Sequence, residues 1–177
     1  MEFQKVLEER RSVRAYTTEK VSKGQVEEIL KAAQLAPSWK NSETGRYYVV
    51  MSDEMLKKVK EECLPSFNAI NSENAPVLIV TGFVTGDAGF GTDGPVNDMG
   101  DMWGAYDLGL QNENLCLKAR ELGLDTLIMG IRDEVALKNV LDIPENVQIA
   151  AVIALGYRAV EPKMPPRKDL AVVAKFY

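Results

Sequence analysis

A chain of 177 residues, 46% hydrophobic and 27% charged, has the size and balance of one globular domain that buries its own core. Its net charge of −5 excludes the basic excess that a nucleic-acid backbone requires. The absence of histidine removes Ser-His-Asp and Cys-His triads, imidazole-ligated zinc and histidine acid/base catalysis together, so chemistry must come from other groups or from a cofactor.

In chain order, Phe3, Val6 and Leu7 predict a first helix ending before Arg10. Ser22-Lys23-Gly24-Gln25 is a capping box, after which Val26, Ile29, Leu30 and Ala33 repeat at helical spacing until Pro37. Residues 46–51 predict a strand. A shorter helix begins near Asp53, with Leu56, Val59 and Cys63 on one face. Further strands are expected at 76–83, 124–130 and 148–157, each β-branched or apolar and bounded by turn formers. The longest helix falls at 102–122, closed by Gly123, and Asp133 caps another that carries Val135, Ala136, Leu137, Val140 and Leu141. Prolines preclude a helix across 161–170, and residues 171–177 read as an apolar, strand-like tail, an arm lying over its own body or adding to a partner's. Helices and strands alternate without repeats, which predicts one sheet covered by helices and one domain over residues 1–177. The start of the chain is charged from Glu2 onward, and no apolar run approaches the roughly 18 to 20 residues that cross a bilayer; a cytoplasmic protein is expected. Cys63 and Cys116 lack a CxxC spacing and read as reduced, buried thiols.

Three local patterns bear on function. Gly89-Phe90-Gly91-Thr92-Asp93-Gly94 has the letters of a dinucleotide fingerprint, yet Gly89 stands several residues beyond the strand and Gly94 precedes Pro95 instead of opening a helix. Residues 85–100 therefore read as a mobile Asp/Gly-rich loop. Arg10, Arg11, Ser12 and Arg14 place three guanidiniums and a hydroxyl within five positions, suited either to a phosphate or to a solvated basic surface. Ala36-Pro37-Ser38-Trp39-Lys40-Asn41-Ser42 then follows the capped helix and precedes the first long strand.

With these patterns the chain resembles the FMN-dependent nitroreductase family, whose members open with a similar Arg-Arg-Ser run, then a helix ending in Ala-Pro-Ser, then a strand. The resemblance continues through Glu73 to Val80, through Asp107 and Asn114-Leu115 in the long helix, through Gly123 to Gly130, through Ile153 to Tyr157 and through Pro166-Arg167-Lys168. It implies an α+β fold, a central mixed or antiparallel sheet covered by helices, with a C-terminal arm reaching over the partner subunit of a homodimer. It also implies FMN at the subunit interface, NADH or NADPH as donor, and ping-pong hydride transfer through flavin N5 to a nitroaromatic, quinone or similar small acceptor. No metal and no catalytic side chain are implied, because the flavin carries the chemistry. The same fold admits other flavin reactions, such as dehalogenation, dehydrogenation or flavin breakdown, and non-catalytic FMN binding.

Residue by residue, the resemblance assigns Arg10 and Ser12 to the phosphate and ribityl end and Arg14 to the N1/C2=O edge of the flavin, with Arg11 in the same FMN-binding run. Pro37, Ser38 and Asn41 would meet the flavin of the neighbouring subunit. Asn68, with Asn71 one turn on, would bond the pyrimidine edge, Met129 and Gly130 would offer backbone N–H groups near N5, and Arg167 and Lys168 would reach back to the phosphate. Met129-Gly130 also reads as an ordinary strand end, and Trp39 and Trp103 as packing residues or stacking platforms. The chain departs from the family at Glu43-Thr44-Gly45, where many members carry Gln-Pro-Trp, and at Glu113, where Gln is usual. Residues 85–100, with Trp103, are the expected pocket lid.

Overall fold

The computed structural model describes residues 2–177. Helix α1 spans Phe3–Glu9 and α2 spans Lys23–Gln34, the latter opened by the expected capping box, in which Ser22 Oγ accepts from Gln25 N and the Gln25 side chain accepts from Ser22 N. Such a cap stabilises a helix by about 1 kcal/mol. Strand β1 (Gly45–Val50), helix α3 (Asp53–Glu62), helix α4 (Ser66–Asn71) and strand β2 (Val77–Val84) follow. After them come β3 (Phe90–Gly91), β4 (Gly94–Pro95), the long α5 (Met102–Glu121), β5 (Asp125–Met129), α6 (Glu134–Leu141), β6 (Val147–Gly156) and a single turn, α7 (Leu170–Val173).

The main sheet has four strands in the order β1-β2-β6-β5, every neighbouring pair antiparallel. The expected mixed or antiparallel sheet is thus antiparallel, joined at its β5 edge by one isolated parallel bridge from Ser12 to Thr126. Alternation along the strands sorts the core into two layers. Leu78, Val80, Val152 and Ala154 face α3 and α6, where they meet Leu56, Val59 and Leu137. Val77, Ile79, Ile153 and Leu155 face α2 and α5, where they meet Val26, Ile29, Leu115 and Ala119. Because β2 and β6 are covered on both faces, they are apolar apart from Thr81 and Gln148, whereas edge strand β1 carries exposed Arg46 and Val49. Gly104 lets α5 lie directly on Phe83 of β2, since a Cβ there would overlap the ring. Gly123 ends α5 in the left-handed region at φ 80°, as its position predicted. No helix among the described residues is long and apolar enough to cross a membrane.

Three expectations change. Residues 66–71 form a helix, α4, that the periodicity did not reveal. Residues 90–95 form a small hairpin where a mobile loop was expected; Phe90 pairs with Pro95, and Val96 N donates to Gly89 O at 2.9 Å. The tail begins as a helical turn instead of a strand, because the Asp169 carboxylate accepts from Ala171 N at 2.8 Å and caps it.

Candidate functional site

Helix α1 stops at Glu9, and the chain then runs extended along the β5 edge. Val13 N donates to Thr126 O at 3.0 Å, and Val13 and Tyr16 point into the core. With alternate side chains on opposite sides of an extended segment, burying Val13 turns Ser12 and Arg14 outward, and both are exposed. Arg14 reaches only Ser12 O, at a long 3.4 Å. Arg11 donates to Arg10 O at 2.7 Å, while Arg10 lies 3.7 Å from the Glu113 carboxylate. The Nε atoms of Arg10 and Arg11 are buried with no hydrogen-bond partner among the described residues. Three guanidiniums around the exposed Ser12 hydroxyl form a donor set suited to a phosphate.

The exit of β5 lies on the same edge. Met129 is buried, Gly130 is exposed, and the space where a Gly130 Cβ would stand is open. Just beyond, Ile131 O accepts from Asn68 Nδ2 at 2.8 Å. Asn68 is only 6% exposed, and one of its two amide donors ties α4 to the strand exit. Asn71, one turn later, is half-buried.

Pro37, Ser38 and Asn41 are elsewhere. Their loop leads into β1, at the opposite edge of the sheet from β5. Trp39–Asn41 is a 3-10 turn, and Lys40, Asn41 and Glu43 all have φ between 47° and 56°, a strained conformation for side chains other than glycine. Local bonds hold it: Asp107 Oδ2 accepts from Trp39 N at 2.8 Å, Ser38 Oγ accepts from Glu43 N at 3.1 Å, and Asn41 Nδ2 donates to Glu43 Oε1 at 3.0 Å. The Glu43-Thr44-Gly45 departure thus supplies a loop-fixing carboxylate. Trp39 packs on Trp103 with ring centroids 4.8 Å apart, and Trp103 meets Tyr106 edge-on at 5.7 Å. Trp103 Nε1 also donates to Asn97 Oδ1 at 3.1 Å, tethering the segment expected as the lid.

Arg167 and Lys168 are exposed on the C-terminal arm, and Arg167 bonds only Pro165 O, at 3.1 Å. Beyond them Leu170, Val172, Val173, Phe176 and Tyr177 are exposed, so their own chain does not cover them. The chain therefore joins the basic run, the β5 exit and α4, and leaves the 37–41 loop and the arm apart. Cys63 and Cys116 are free and buried, and burial pushes both thiols up to about 11, which leaves them protonated at neutral pH.

Sequence reasoning missed a charge cluster behind the basic run. The Asp125 carboxylate, at the start of the buried strand β5, accepts two bonds from Arg158, at 2.6 and 2.7 Å, and two from Arg120, at 3.1 and 3.3 Å. The signal was an acid at the start of a mostly apolar strand, which requires a partner somewhere in the fold.

The family model for nitroreductases matches residues 7–157. A protein of Archaeoglobus fulgidus, provisionally named NADH dehydrogenase/NAD(P)H nitroreductase, is 37% identical over 158 residues, covering 86% of this chain and 83% of its own. Among solved structures, a provisionally named nitroreductase of Exiguobacterium sibiricum in complex with FMN superposes with a TM-score of 0.88 at 21% identity, over 100% of this chain and 98% of the other. A provisionally named NAD(P)H:FMN oxidoreductase of Staphylococcus epidermidis superposes with a TM-score of 0.86 at 21% identity, over 99% and 96%. The antiparallel sheet, the basic run along its β5 edge and these matches over nearly the whole chain agree, and the chain belongs to the nitroreductase family.

Proposed function

We propose that the protein is an FMN-dependent NAD(P)H oxidoreductase that works as a homodimer. The observation that carries this reading is the clustering of Arg10, Arg11, Ser12 and Arg14 along the β5 edge, beside the open approach to Gly130. A relative at 37% identity bears an NAD(P)H nitroreductase name, which supports the same donor.

Arg10, Arg11 and Ser12 hold the phosphate and ribityl end through charge-assisted hydrogen bonds. Arg14, permanently charged, serves the N1/C2=O edge, where a cation favours the reduced cofactor. The backbone N–H groups of Met129 and Gly130 serve N5, and the open face of Gly130 leaves room for a ring. Asn68 and Asn71 serve the pyrimidine edge, with Asn68 keeping one amide donor on Ile131 O. Bound FMN supplies the redox chemistry, transfer of hydride through N5 from NADH or NADPH and then of electrons to a nitroaromatic, quinone or similar acceptor, in a ping-pong cycle. Trp39, Trp103 and Tyr106 offer an aromatic surface on which such an acceptor can stack.

Two features support the dimer. Pro37, Ser38 and Asn41 lie at the opposite sheet edge from the basic run, so they serve the flavin of the other protomer. The uncovered apolar arm reaches over that protomer, and Arg167 and Lys168 approach the phosphate from it.

The test is FMN retention by Arg10→Ala and Arg14→Ala. A charged hydrogen bond contributes about 1.5 to 3 kcal/mol, so each variant should bind FMN about ten- to a hundredfold more weakly. Equilibrium dialysis that finds both variants as tight as the wild type would refute these assignments.

A further inference from the structure

The Asp125 cluster does more than satisfy a buried acid. Its side chain is 1% exposed, and an ionised carboxylate at that depth is tolerated only when paired. Arg158 meets it as a two-pronged fork through Nε at 2.7 Å and Nη2 at 2.6 Å, which fixes the plane of the guanidinium. The remaining donors of that rigid plane are aimed at two other segments. Nη2 also donates to Glu9 O at 3.3 Å, on the residue that immediately precedes Arg10. Nη1 donates to the Glu161 carboxylate at 2.7 Å, at the root of the C-terminal arm. Arg120 closes the cluster from α5, bonding Asp125 and lying 3.7 Å from the Glu9 carboxylate. Backbone bonds run alongside, from Ala159 N to Ala15 O and from Thr17 N to Tyr157 O, both at 2.9 Å.

We infer that Arg158, oriented by the buried Asp125, is a positioning residue for the phosphate end of the flavin site, fixing where the Arg10-Arg11-Ser12 run leaves α1 and where the arm bearing Arg167 and Lys168 begins. The inference rests on the FMN reading above and deepens it. Arg158 itself meets no ligand; it acts through the Glu9 carbonyl. A point-charge ammonium cannot reproduce the fork, so lysine at this position keeps the charge and loses the orientation.

The test compares FMN with riboflavin, which lacks the phosphate, by flavin-fluorescence titration of wild type, Arg158→Lys and Asp125→Asn. Positioning of the phosphate end predicts that the Kd for FMN rises about tenfold in both variants while the Kd for riboflavin stays within about twofold. A purely structural role would weaken both ligands by the same factor, and that result overturns the inference, as does an FMN Kd in Arg158→Lys within about twofold of wild type. Should Asp125→Asn fail to fold, Arg158→Lys carries the same prediction from a side chain that is 16% exposed. A wild-type protein that binds FMN no tighter than riboflavin refutes phosphate recognition itself, and with it the underlying reading, whatever the variants do.

Discussion

Glu113 sets how much of the Arg10 charge is free for a ligand. Its carboxylate lies 3.7 Å from Arg10 Nε, with side chains 48% and 27% exposed, so the pair is weakly held and screened by salt. Exposed pairs of this kind are worth about 0.2 to 1 kcal/mol. Glu113→Gln should therefore tighten FMN binding by roughly 1.5- to 5-fold at low ionic strength, with the gain shrinking in high salt; titrations at two salt concentrations measure it. Unchanged or weaker binding in low salt would mean that Glu113 does not compete for Arg10. At this scale the basic run was legible, because its chemistry sits in consecutive letters and needs no fold to be seen. Asp125 and Arg158 were not, because their pairing joins the start of β5 to the residues after β6 and appears only once the register of those strands is known. Asn68 enters through the family resemblance alone, and its bond to Ile131 O depends on how α4 packs, which local sequence does not specify.

The helices and strands were legible wherever periodicity extends over several turns or residues. Helices α2, α3, α5 and α6 and the four main strands fall within a few residues of their expected bounds, with Ser22, Asp133 and Gly123 marking ends as their chemistry requires. Helix α4 escaped because six residues after Pro65, with no side-chain cap, are too few to establish a 3.6-residue period. The β3–β4 hairpin escaped because its strands have two residues each, too short for alternation to appear. The C-terminal arm is the element whose function is most exposed to test. Residues 163–173 are exposed along their length, so the fold of one protomer does not depend on them. Deleting 162–177 should cost the far-ultraviolet circular dichroism no more than the single turn of α7 and should convert the proposed dimer to monomers in sedimentation velocity at micromolar concentration. A truncated protein that still sediments as a dimer would remove the arm from the interface.

For the whole molecule, the order β1-β2-β6-β5 decides what one chain can and cannot assemble. It places the basic run and the β5 exit on one edge and the 37–41 loop on the other, which is why the proposed flavin pocket draws on two protomers. Composition narrowed the chemistry to a cofactor, and the ordered motifs carried the family; the strand order, which separates the two half-sites, is not written in any one segment. The proposed assembly binds FMN and passes it electrons from a nicotinamide donor. The most direct measurement is the visible spectrum of the purified protein, reconstituted with FMN and titrated anaerobically with NADH and with NADPH. The protein should be yellow, and its visible flavin absorbance should bleach stoichiometrically with at least one donor, as expected of a flavin that accepts hydride. A protein that stays colourless after reconstitution, or a bound flavin that neither donor bleaches, would contradict the proposed function.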